Sequence, residues 1–438
     1  MNIVVKNRSE ILSKLRIKRL NSLQEEVLKV FNVSEDILIL SPTGTGKTLA
    51  YLLPILESLN PNCKYIQALV VVPSRELAIQ IEQVFRTMGT GYKAIAIYGG
   101  RSGKKDTIDL QHPPALLIGT PGRIADHIER ESFSVQNISM LVLDEFDKSL
   151  EIGFEYEMKS IIWELPHIDK KILTSATHLD NIPEFVGFRD PFIINHLHQN
   201  KPEISIKVIN TQKSEKLTAL IDLVQKLRNQ KGVIFCNFKE SISSVSEYLS
   251  NENISHEVFY GGLEQKDRER ALIKFRNGSN NLLLATDLAA RGIDIDDINF
   301  IIHLELPLKE QEFIHRNGRT ARMNEKGVVY ILHSEELYLP DFIPSNYISL
   351  EEIKVENSES KNFTTLFISG GRRDKISKGD IVGLFLKEGK LSQDDLGLIE
   401  LKQDCAFVAV AQAKAEKLAK LLNNSKLKKK KVRIKVLE

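Results

Sequence analysis

The residues best suited to chemistry lie in a glycine-bearing turn between an apolar run and a helical segment. The apolar run covers residues 37–40, and the turn at 41–48 reads SPTGTGKT. Backbone N–H groups of such a turn point at phosphate oxygens, and the N-terminus of the following helix favours negative charge. Lys47 is positioned to reach terminal phosphates and Thr48 to reach a magnesium ion. The pattern predicts a nucleotide site formed by Thr43, Gly44, Thr45, Gly46, Lys47 and Thr48; the alternative is an ordinary glycine-rich loop.

Two adjacent carboxylates form a second candidate site. Asp144 and Glu145 follow the apolar run 140–143, which places them at the carboxyl end of a predicted strand, where open α/β sheets bind ligands. Asp144 would hold magnesium, usually through water, and Glu145 would orient and deprotonate the water that attacks the γ-phosphate. The alternative is a solvated acidic turn. Lys47, upstream in the same predicted domain, favours the catalytic interpretation.

The composition is typical of a soluble globular protein with about three domains. Of 438 residues, 42% are hydrophobic and 27% are charged, and the length allows domains of roughly 150 residues each. No apolar run approaches the ~20 residues that span a bilayer, and the N-terminus lacks the apolar core of a signal peptide. We therefore expect a cytoplasmic protein without a membrane partner. The three cysteines are far apart and predict neither disulfides nor a zinc site.

Positive charge is concentrated at the C-terminal end. Residues 361–438 contain 18 Lys and Arg against 9 Asp and Glu, a net charge of +9, whereas residues 1–360 carry a net charge of −7. A compact basic module beside a mildly acidic body favours a polyanionic partner, and nucleic acid is the first candidate. A solvated lysine-rich end is the alternative.

Two successive alternations of short apolar runs and helical patterns predict two doubly wound α/β domains, at 1–197 and 208–340. Predicted strands of the first are 37–40, 68–72, 94–98, 116–118 and 141–143. Predicted strands of the second are 232–236, 256–260, 282–285, 300–302 and 328–331. We interpret 197–207 as a hinge and the acidic, proline-bearing segment 335–360 as a linker.

The tail, residues 361–438, has a different element order. Its patterns predict, in order, a strand at 364–369, a helix at 379–388, strands at 397–401 and 406–410, a helix at 411–422 and a strand at 432–436. This βαββαβ order is the ferredoxin-like pattern that RNA-recognition (RRM-like) modules use. Many unrelated proteins share it, so the order alone does not decide function.

The order of the motifs resembles that of the DEAD-box RNA helicases. The segments that carry the resemblance are Gln24, the turn 41–48, PSRELA at 73–78, Gly99-Gly100, TPGR at 120–123, DEFD at 144–147, SAT at 175–177, IFCN at 234–237, Gln265 with Arg268, ATD at 285–287, RGID at 291–294 and HRNGRTAR at 315–322. The resemblance implies two tandem RecA-like domains, ATP with Mg²⁺ as cofactors, RNA-dependent ATP hydrolysis, and local separation of short duplexes.

The resemblance also implies roles for the matching residues. Gln24 would read adenine, since an amide offers a donor beside an acceptor, and Asp294 would contact the nucleotide. Arg319 and Arg322 would be arginine fingers on the transferring phosphoryl group, on one helical face if 315–322 is helical. Residues implied to couple ATP to RNA are Asp147, Ser175, Thr177 and Arg291. Those implied to contact the RNA backbone, without reading sequence, are Arg75, Gly100, Thr120, Arg123, Gly262 and Thr286.

The chain departs from the family pattern in four places. Phe146 replaces the alanine of the acidic box, Ser41-Pro42 opens the phosphate loop, and Ala321 stands between the two arginines. Upstream of Gln24, the family's adenine-stacking aromatic has no counterpart, and Asn21-Ser22 replace the usual proline and threonine. We expect unchanged chemistry, with an altered turnover as the consequence of Phe146.

The tail resembles the RNA-binding domain of the DbpA-like group of DEAD-box proteins, most strongly at 370–375, 378–383 and 407–410. In that group the domain binds a structured hairpin of large-subunit ribosomal RNA. Arg372, Arg373, Lys375 and the lysine run 428–431 would contact phosphates, although the run is equally typical of a solvated edge. The aromatics available for base stacking are Phe367 and Phe407, and both could instead belong to the core.

Our leading hypothesis is a monomeric RNA-dependent ATPase that remodels ribosomal RNA during large-subunit assembly. Two alternatives stay open. One is a general RNA chaperone helicase with a non-specific basic tail, and the other is an ATP-gated RNA-binding scaffold with little turnover.

Overall fold

The computed structural model of the chain describes residues 7–100, 103–179, 181–198, 203–287, 298–320, 327–353 and 362–437. The described residues divide into two compact units, of which the first extends to Glu203 and the second begins at Ile204.

The first unit is built on a seven-stranded sheet in the order β3-β4-β2-β5-β6-β1-β7, in which every described pair is parallel. Its strands are β1 Asp36–Leu40, β2 Ala68–Val71, β3 Ala94–Ile97, β4 Leu116–Gly119, β5 Met140–Leu143, β6 Lys170–Ser175 and β7 Phe192–Asn195. Its helices are α1 Arg8–Leu15, α2 Ser22–Val30, α3 Lys47–Ser58, α4 Arg75–Met88, α5 Gly103–Leu110, α6 Pro121–Glu129, α7 Phe146–Ile152 and α8 Glu155–Glu164.

Apolar cores lie on both faces of this sheet, and the central strands are buried along their whole length. Continuous apolar runs are the signature of such strands, which is why sequence predicted β1 to β5. The last two strands were missed. β6 begins with two lysines and ends in Thr174-Ser175, and β7 is an edge strand with Phe192 and Ile193 exposed, so neither gives a long apolar signal.

The second unit contains a six-stranded sheet in the order β10-β11-β9-β12-β13-β8, again with parallel pairs. Its strands are β8 Ile204–Thr211, β9 Gly232–Phe235, β10 Glu257–Phe259, β11 Leu282–Ala285, β12 Phe300–His303 and β13 Gly327–Ser334. Its described helices are α9 Lys216–Lys226, α10 Lys239–Asn251, α11 Gln265–Arg276 and α12 Glu310–Asn317.

Two segments of this unit correct the sequence interpretation. Residues 204–207 belong to strand β8 rather than to a hinge. Residues 343–353 of the expected linker pack on the second sheet: Val208 N donates to Asn346 O at 2.8 Å, Ile348 N donates to Val208 O at 2.9 Å, and Ile353 is buried in the core. This segment, which we call the strap, covers the edge strand β8 and so protects its free backbone groups.

The tail has a four-stranded antiparallel sheet in the order β15-β16-β14-β19, and the predicted βαββαβ order is confirmed. Its elements are β14 Phe363–Ile368, α13 Lys378–Gly383 with a π-helical turn at Leu384–Glu388, β15 Leu396–Leu401, β16 Ala406–Ala411, α14 Gln412–Leu422 and β19 Ile434–Val436. A short hairpin, β17 Lys426–Leu427 with β18 Lys430–Lys431, precedes the last strand. The helices cover one face of the sheet.

Candidate active site

The turn after β1 has the backbone of a phosphate-binding loop. Gly44 and Gly46 have φ of 80° and 84°, a left-handed conformation that favours glycine. The Ser41 hydroxyl donates to Thr45 Oγ1 at 2.8 Å, and Thr45 Oγ1 donates to the Pro42 carbonyl at 2.9 Å. Ser41 therefore closes the loop with its side chain, which explains how the loop forms without the usual first glycine. Helix α3 begins directly after it, at Lys47.

Lys47 is folded into this loop. Its Nζ donates to the carbonyls of Ser41 and Pro42 at 2.5 and 2.7 Å. Burial lowers the pKa of Lys47 to about 8, although Asp144, Glu145 and Asp147 oppose that shift. The ammonium is thus held by carbonyl oxygens that phosphate oxygens can replace.

Gln24 lies against the same loop and is buried. Its Oε1 accepts from Asn21 N at 3.1 Å, and its Nε2 donates to Gly46 O at 3.4 Å. Asn21 caps helix α2 reciprocally with Gln24, and Asn21 Nδ2 donates to Thr45 O at 2.9 Å. The asparagine that departs from the family pattern therefore has a local function, since it completes a capping box and ties α2 to the loop.

Asp144 is buried at the end of β5, and each of its oxygens accepts a hydroxyl. Tyr51 Oη donates to Oδ2 at 2.8 Å, and Thr174 Oγ1 donates to Oδ1 at 2.5 Å. Burial, followed by the charge of Glu145, raises the pKa of Asp144, and burial raises the pKa of Tyr51 well above its usual value. Sequence reasoning missed both partners. The available signals were Tyr51 one turn after Lys47 on α3 and Thr174 directly before the SAT segment.

Glu145 has left-handed backbone angles, φ 49° and ψ 49°, which are uncommon for a residue other than glycine and gather at functional sites. Its N–H donates to Asp144 Oδ1 and to Thr174 Oγ1, both at 3.1 Å. Lys148 Nζ lies 3.5 Å from Glu145 Oε2, and the Lys148 side chain is fully buried. The carboxylate at this strained position therefore has a buried counter-charge.

Phe146 fits into the core behind these carboxylates. It is fully buried in the apolar cluster of the α7 side of the sheet, with its ring centroid 6.3 Å from that of Phe185. Its ring therefore occupies space on the core side of the acidic box.

The SAT segment after β6 is tied to helix α7. Thr177 Oγ1 donates to Asp147 Oδ2 at 2.9 Å, and Ser175 Oγ donates to Thr177 O at 2.7 Å while accepting from Thr177 N at 3.1 Å. Three of the four predicted coupling residues are thus in one hydrogen-bonded network. The fourth, Arg291, lies outside the described residues.

The donor set around Asp144 suits magnesium. Tyr51 also hydrogen-bonds with Thr48, so its hydroxyl joins the two expected magnesium ligands. One hydroxyl and one carboxylate leave most positions to water and to phosphate oxygens, as Mg²⁺ prefers.

The predicted RNA contacts of the first unit follow a different set of strands. Arg75 comes after β2, Gly100 after β3, and Thr120 with Arg123 after β4, whereas the residues predicted to bind nucleotide and magnesium or to couple ATP to RNA follow β1, β5 and β6. The strand order therefore places the two groups on separate halves of one sheet edge. The Arg75 guanidinium lies against Gly100, where a β-carbon would come within 2.5 Å of Nη1.

Arg123 is part of an ion-pair network. Its Nη2 and Nε lie 2.9 and 3.0 Å from Asp106 Oδ2, and its Nη1 lies 3.0 Å from Asp126 Oδ2. Asp106 is fully buried. The guanidinium is held in one orientation at the start of α6, beside Thr120, which precedes that helix.

In the second unit, Gly262 follows β10 and Thr286 follows β11 on neighbouring strands. Arg316 is a buried centre of this region: Nε donates to Asp287 Oδ1 at 2.6 Å, Nη1 donates to Glu305 O at 2.6 Å, and Nη2 donates to Asn237 Oδ1 at 2.7 Å. Sequence reasoning gave Arg316 no role, although it lies inside the HRNGRTAR motif.

The condition under which Arg319 and Arg322 would share a helical face, a helix through 315–322, is not met at residues 318–320. Helix α12 ends at Asn317, and Arg319 lies in the turn that follows, with its N–H donating to Arg316 O at 3.1 Å. Arg322, the second predicted arginine finger, and Asp294, a predicted nucleotide contact, lie outside the described residues.

The tail gathers basic residues at one end. Arg372 and Arg373 lie in a short 3₁₀ turn, Arg372–Asp374, and Lys375 follows it with φ 59°. The lysine hairpin lies against this region, since Lys430 Nζ is 2.8 Å from Asp374 Oδ2 and Lys428 Nζ is 2.9 Å from Asp380 Oδ1. Phe367 and Phe407 pack edge to face on the sheet, with centroids 5.7 Å apart, together with Leu437 and Ile273 of helix α11.

None of the helices in the described ranges has the length and apolar character that crossing a bilayer requires.

Three family models match the chain. They are the DEAD/DEAH box helicase at residues 21–185, the helicase conserved C-terminal domain at 215–324 and the DbpA RNA binding domain at 365–436. The ATP-dependent RNA helicase DbpA of Escherichia coli (strain K12) is 31% identical over 440 residues, covering 98% of this chain and 96% of the relative. The protein of the same name from Bacillus subtilis (strain 168) is 29% identical over 456 residues, covering 94% and 93%.

Solved structures match most of this chain. S. cerevisiae Dbp5 bound to RNA and ADP BeF3 has a TM-score of 0.70 at 24% identity, covering 80% of this chain and 95% of that one. Mss116p bound to ssRNA and AMP-PNP has a TM-score of 0.68 at 25% identity, covering 75% and 73%. The predicted fold class is confirmed: two RecA-like parallel-sheet domains, followed by an RRM-like tail.

Proposed function

The chain belongs to the DEAD-box ATP-dependent RNA helicases, enzymes that hydrolyse ATP, and on that premise we propose that it remodels ribosomal RNA around a hairpin that its tail binds. The proposal places this activity in large-subunit assembly, in the cytoplasm, with the protein acting as a monomer. The single observation that carries it is the basic end of an RRM-like tail that matches the DbpA RNA binding domain over residues 365–436.

We assign the hydrolysis to the residues around the phosphate loop. Lys47 binds the terminal phosphates, Gln24 the adenine, and Thr48 with Asp144 the magnesium ion, which supplies charge neutralisation on the phosphates when bound. Glu145 orients the attacking water and takes its proton. The geometry of Glu145 supports this role. The residue is buried, its backbone is strained, and its N–H is held by Asp144 and Thr174. Arg319, Arg322 and Asp294 complete the site in this proposal.

RNA contacts are assigned to the other half of the sheet edge and to the second domain. Arg75, Gly100, Thr120, Arg123, Gly262 and Thr286 provide hydroxyls, backbone N–H groups and guanidinium groups. Such groups bind phosphates and 2′-hydroxyls without reading bases. Any preference for one RNA therefore has to come from the tail. Arg372, Arg373 and Lys375 would provide the phosphate contacts that hold the RNA there, without reading its bases.

The test is steady-state ATP hydrolysis with purified 23S ribosomal RNA and, separately, with a polyuridine RNA of equal nucleotide concentration. We expect stronger stimulation at lower concentration with the ribosomal RNA. Glu145→Gln should lower the stimulated rate by about 10²- to 10⁴-fold while nucleotide binding persists. Glu155→Gln, an exposed glutamate at the start of α8, is the matched control and should keep the parental rate.

Each of the two alternative functions predicts a different result in this ATPase assay. Equal stimulation by both RNAs would identify a general RNA chaperone with a non-specific tail. A parent rate as low as that of Glu145→Gln would identify an ATP-gated scaffold. The buried, well-accommodated Phe146 ring argues against the scaffold.

A further inference from the structure

A buried carboxylate on helix α5, outside every segment that carried the family resemblance, holds the guanidinium of Arg123. Asp106 is fully buried, and its Oδ2 accepts from Arg123 Nε at 3.0 Å and from Nη2 at 2.9 Å. The start of α5 lies against the same group, since a β-carbon on Gly103 would come within 3.1 Å of Nη2. Helix α5 therefore contacts Arg123 both with a side chain and with its backbone.

Arg123 is a counter-charge of Asp106, whereas the nearby histidine is not. His127 lies one turn after Arg123 on α6 and is buried, with Nε2 3.6 Å from Asp106 Oδ2. Burial, followed by the charge of Arg123, lowers the pKa of His127, so the imidazole is uncharged at neutral pH. Separating a buried carboxylate from its counter-ion is strongly destabilising. Asp106 therefore keeps the Arg123 guanidinium at this place.

The second carboxylate that touches Arg123 is itself paired with another cation. Arg123 Nη1 donates to Asp126 Oδ2 at 3.0 Å, and Arg130 Nε lies 2.7 Å from Asp126 Oδ1. With Asp106, these side chains carry two positive and two negative charges, so their net charge does not repel a phosphate. The two carboxylates engage three of the five N–H groups of Arg123. One N–H on each terminal nitrogen is not used by these contacts, and such a pair suits bidentate binding of a phosphate.

The place of Arg123 in the fold makes this orientation relevant to RNA. Arg123 follows β4, on the half of the sheet edge where Arg75, Gly100 and Thr120 lie. The Arg75 guanidinium lies against Gly100, and that of Arg123 lies against Gly103. These two glycines are three residues apart, at most about 11 Å. The two arginines therefore flank one short stretch of chain on the proposed RNA side of the domain.

We propose that Asp106 is a positioning residue for RNA binding, which fixes the Arg123 guanidinium so that its two remaining N–H groups are presented to an RNA phosphate. An arginine side chain has high rotamer entropy, and fixing it before binding removes part of the cost of forming the complex. Asp106 itself does not touch RNA in this mechanism. The inference rests on the RNA-binding role proposed above for Arg123.

Removing the carboxylate tests the proposal by the sign of the effect. Asp106→Asn keeps the shape of the side chain and removes one negative charge, so a purely electrostatic role would make the protein bind a polyanion more tightly. If Asp106 acts by holding Arg123, the same substitution weakens RNA binding instead. We expect the affinity to fall by about tenfold, as for the loss of one hydrogen bond to a charged group.

The measurement is the fluorescence anisotropy of a short fluorescein-labelled polyuridine with the full chain, at fixed KCl and saturating Mg²⁺ and AMP-PNP. Polyuridine makes the result independent of whether the tail prefers ribosomal RNA. Asp109→Asn, at a half-buried side chain of the same helix, removes the same charge and should bind RNA at least as tightly as the parent. Both variants should keep the parental circular dichroism and the parental affinity for a fluorescent ADP analogue, which shows that they are folded.

Two variants of Arg123 complete the test. In an Arg123→Gln background, Asp106→Asn should have no further effect on RNA affinity, because it acts through the missing guanidinium. Arg123→Lys keeps the positive charge beside Asp106 but lacks the planar fork. This variant should bind RNA about as weakly as Asp106→Asn, and it tests the proposal even if Asp106→Asn does not fold.

The outcomes separate this inference from the function on which it rests. Equal or tighter RNA binding by folded Asp106→Asn, or parental binding by Arg123→Lys, would overturn the positioning role of Asp106. Both results leave the RNA contact of Arg123 intact as long as Arg123→Gln weakens binding. Parental RNA binding by Arg123→Gln would instead contradict the proposed contact itself, and the inference with it.

Discussion

At the scale of single residues, the proposed ATP site contains a buried cluster of charged side chains. Lys47, Asp144, Glu145, Asp147 and Lys148 are all buried within one domain. Burial lowers the pKa of Lys47 to about 8 and raises that of Asp144. Burial therefore moves both groups toward their neutral forms, and a bound nucleotide with its cation would reverse that tendency.

Nucleotide binding should therefore weaken as pH rises through 8. In the proposed site the ammonium form of Lys47 binds phosphate, so above a free-state pKa of about 8 binding requires uptake of a proton. The affinity should fall by about tenfold between pH 7 and pH 9. Titration of a fluorescent ADP analogue at constant ionic strength measures this change.

Lys47→Arg provides the control, because a guanidinium stays charged throughout that range. The affinity of this variant for the ADP analogue should be lower than that of the parent at pH 7, but it should stay constant up to pH 9. If the nucleotide affinity of the parent protein were equally independent of pH, the lowered pKa of Lys47 would be wrong.

At the scale of elements, the ends of strands decide which residues meet. Thr174, at the end of β6, reaches Asp144 at the end of neighbouring β5, thirty residues earlier. Within the second domain, contacts distant in sequence also complete the sheet, since residues 343–353 cover edge strand β8. This strap belongs to the domain's core through Ile353 and not to a linker.

Ile353→Ala should destabilise the second domain by about 2–5 kcal/mol, because it removes buried methyl groups and leaves a cavity. Chemical denaturation of the full chain, followed by the circular dichroism of its helices, measures the loss. Leu337→Ala, at a side chain that is 58% exposed, should change the free energy of unfolding by less than about 0.5 kcal/mol. Equally small effects of both substitutions would mean that the strap is a linker and not part of the domain's core.

At the scale of the whole molecule, charge is divided by domain. The tail carries the positive excess, and its basic end projects Arg373 and Lys375 as exposed groups, while Lys428 and Lys430 already neutralise Asp380 and Asp374. The exposed pair should therefore contribute more to RNA binding than the paired lysines.

Replacing Arg373 and Lys375 by glutamine should flatten the dependence of RNA affinity on salt. Each lost phosphate contact lowers the slope of log K against log salt by about 0.7 to 0.9. Filter binding of 23S ribosomal RNA at several KCl concentrations gives the slope. Lys417→Gln with Lys420→Gln, two exposed lysines of α14, should leave it unchanged; an equal change there would mean that only net charge matters.

The sequence by itself determined the parts of this protein that depend on neighbours along the chain. The phosphate loop, the acidic pair, most strands of both sheets and the βαββαβ tail were all predicted, because turn geometry and side-chain periodicity are local properties. Charge distribution likewise predicted a polyanionic partner, with nucleic acid as the first candidate, and the tail as the basic module.

Only the tertiary structure decided which distant groups pair. Tyr51 and Thr174 reach Asp144 because of the strand order of the sheet and the placement of α3 beside it, and Ile273 of helix α11 packs with Phe407 on the tail's sheet. Periodicity identifies an apolar face but not what covers it. That choice rests on contacts between residues far apart in sequence, and no local pattern of residues records them.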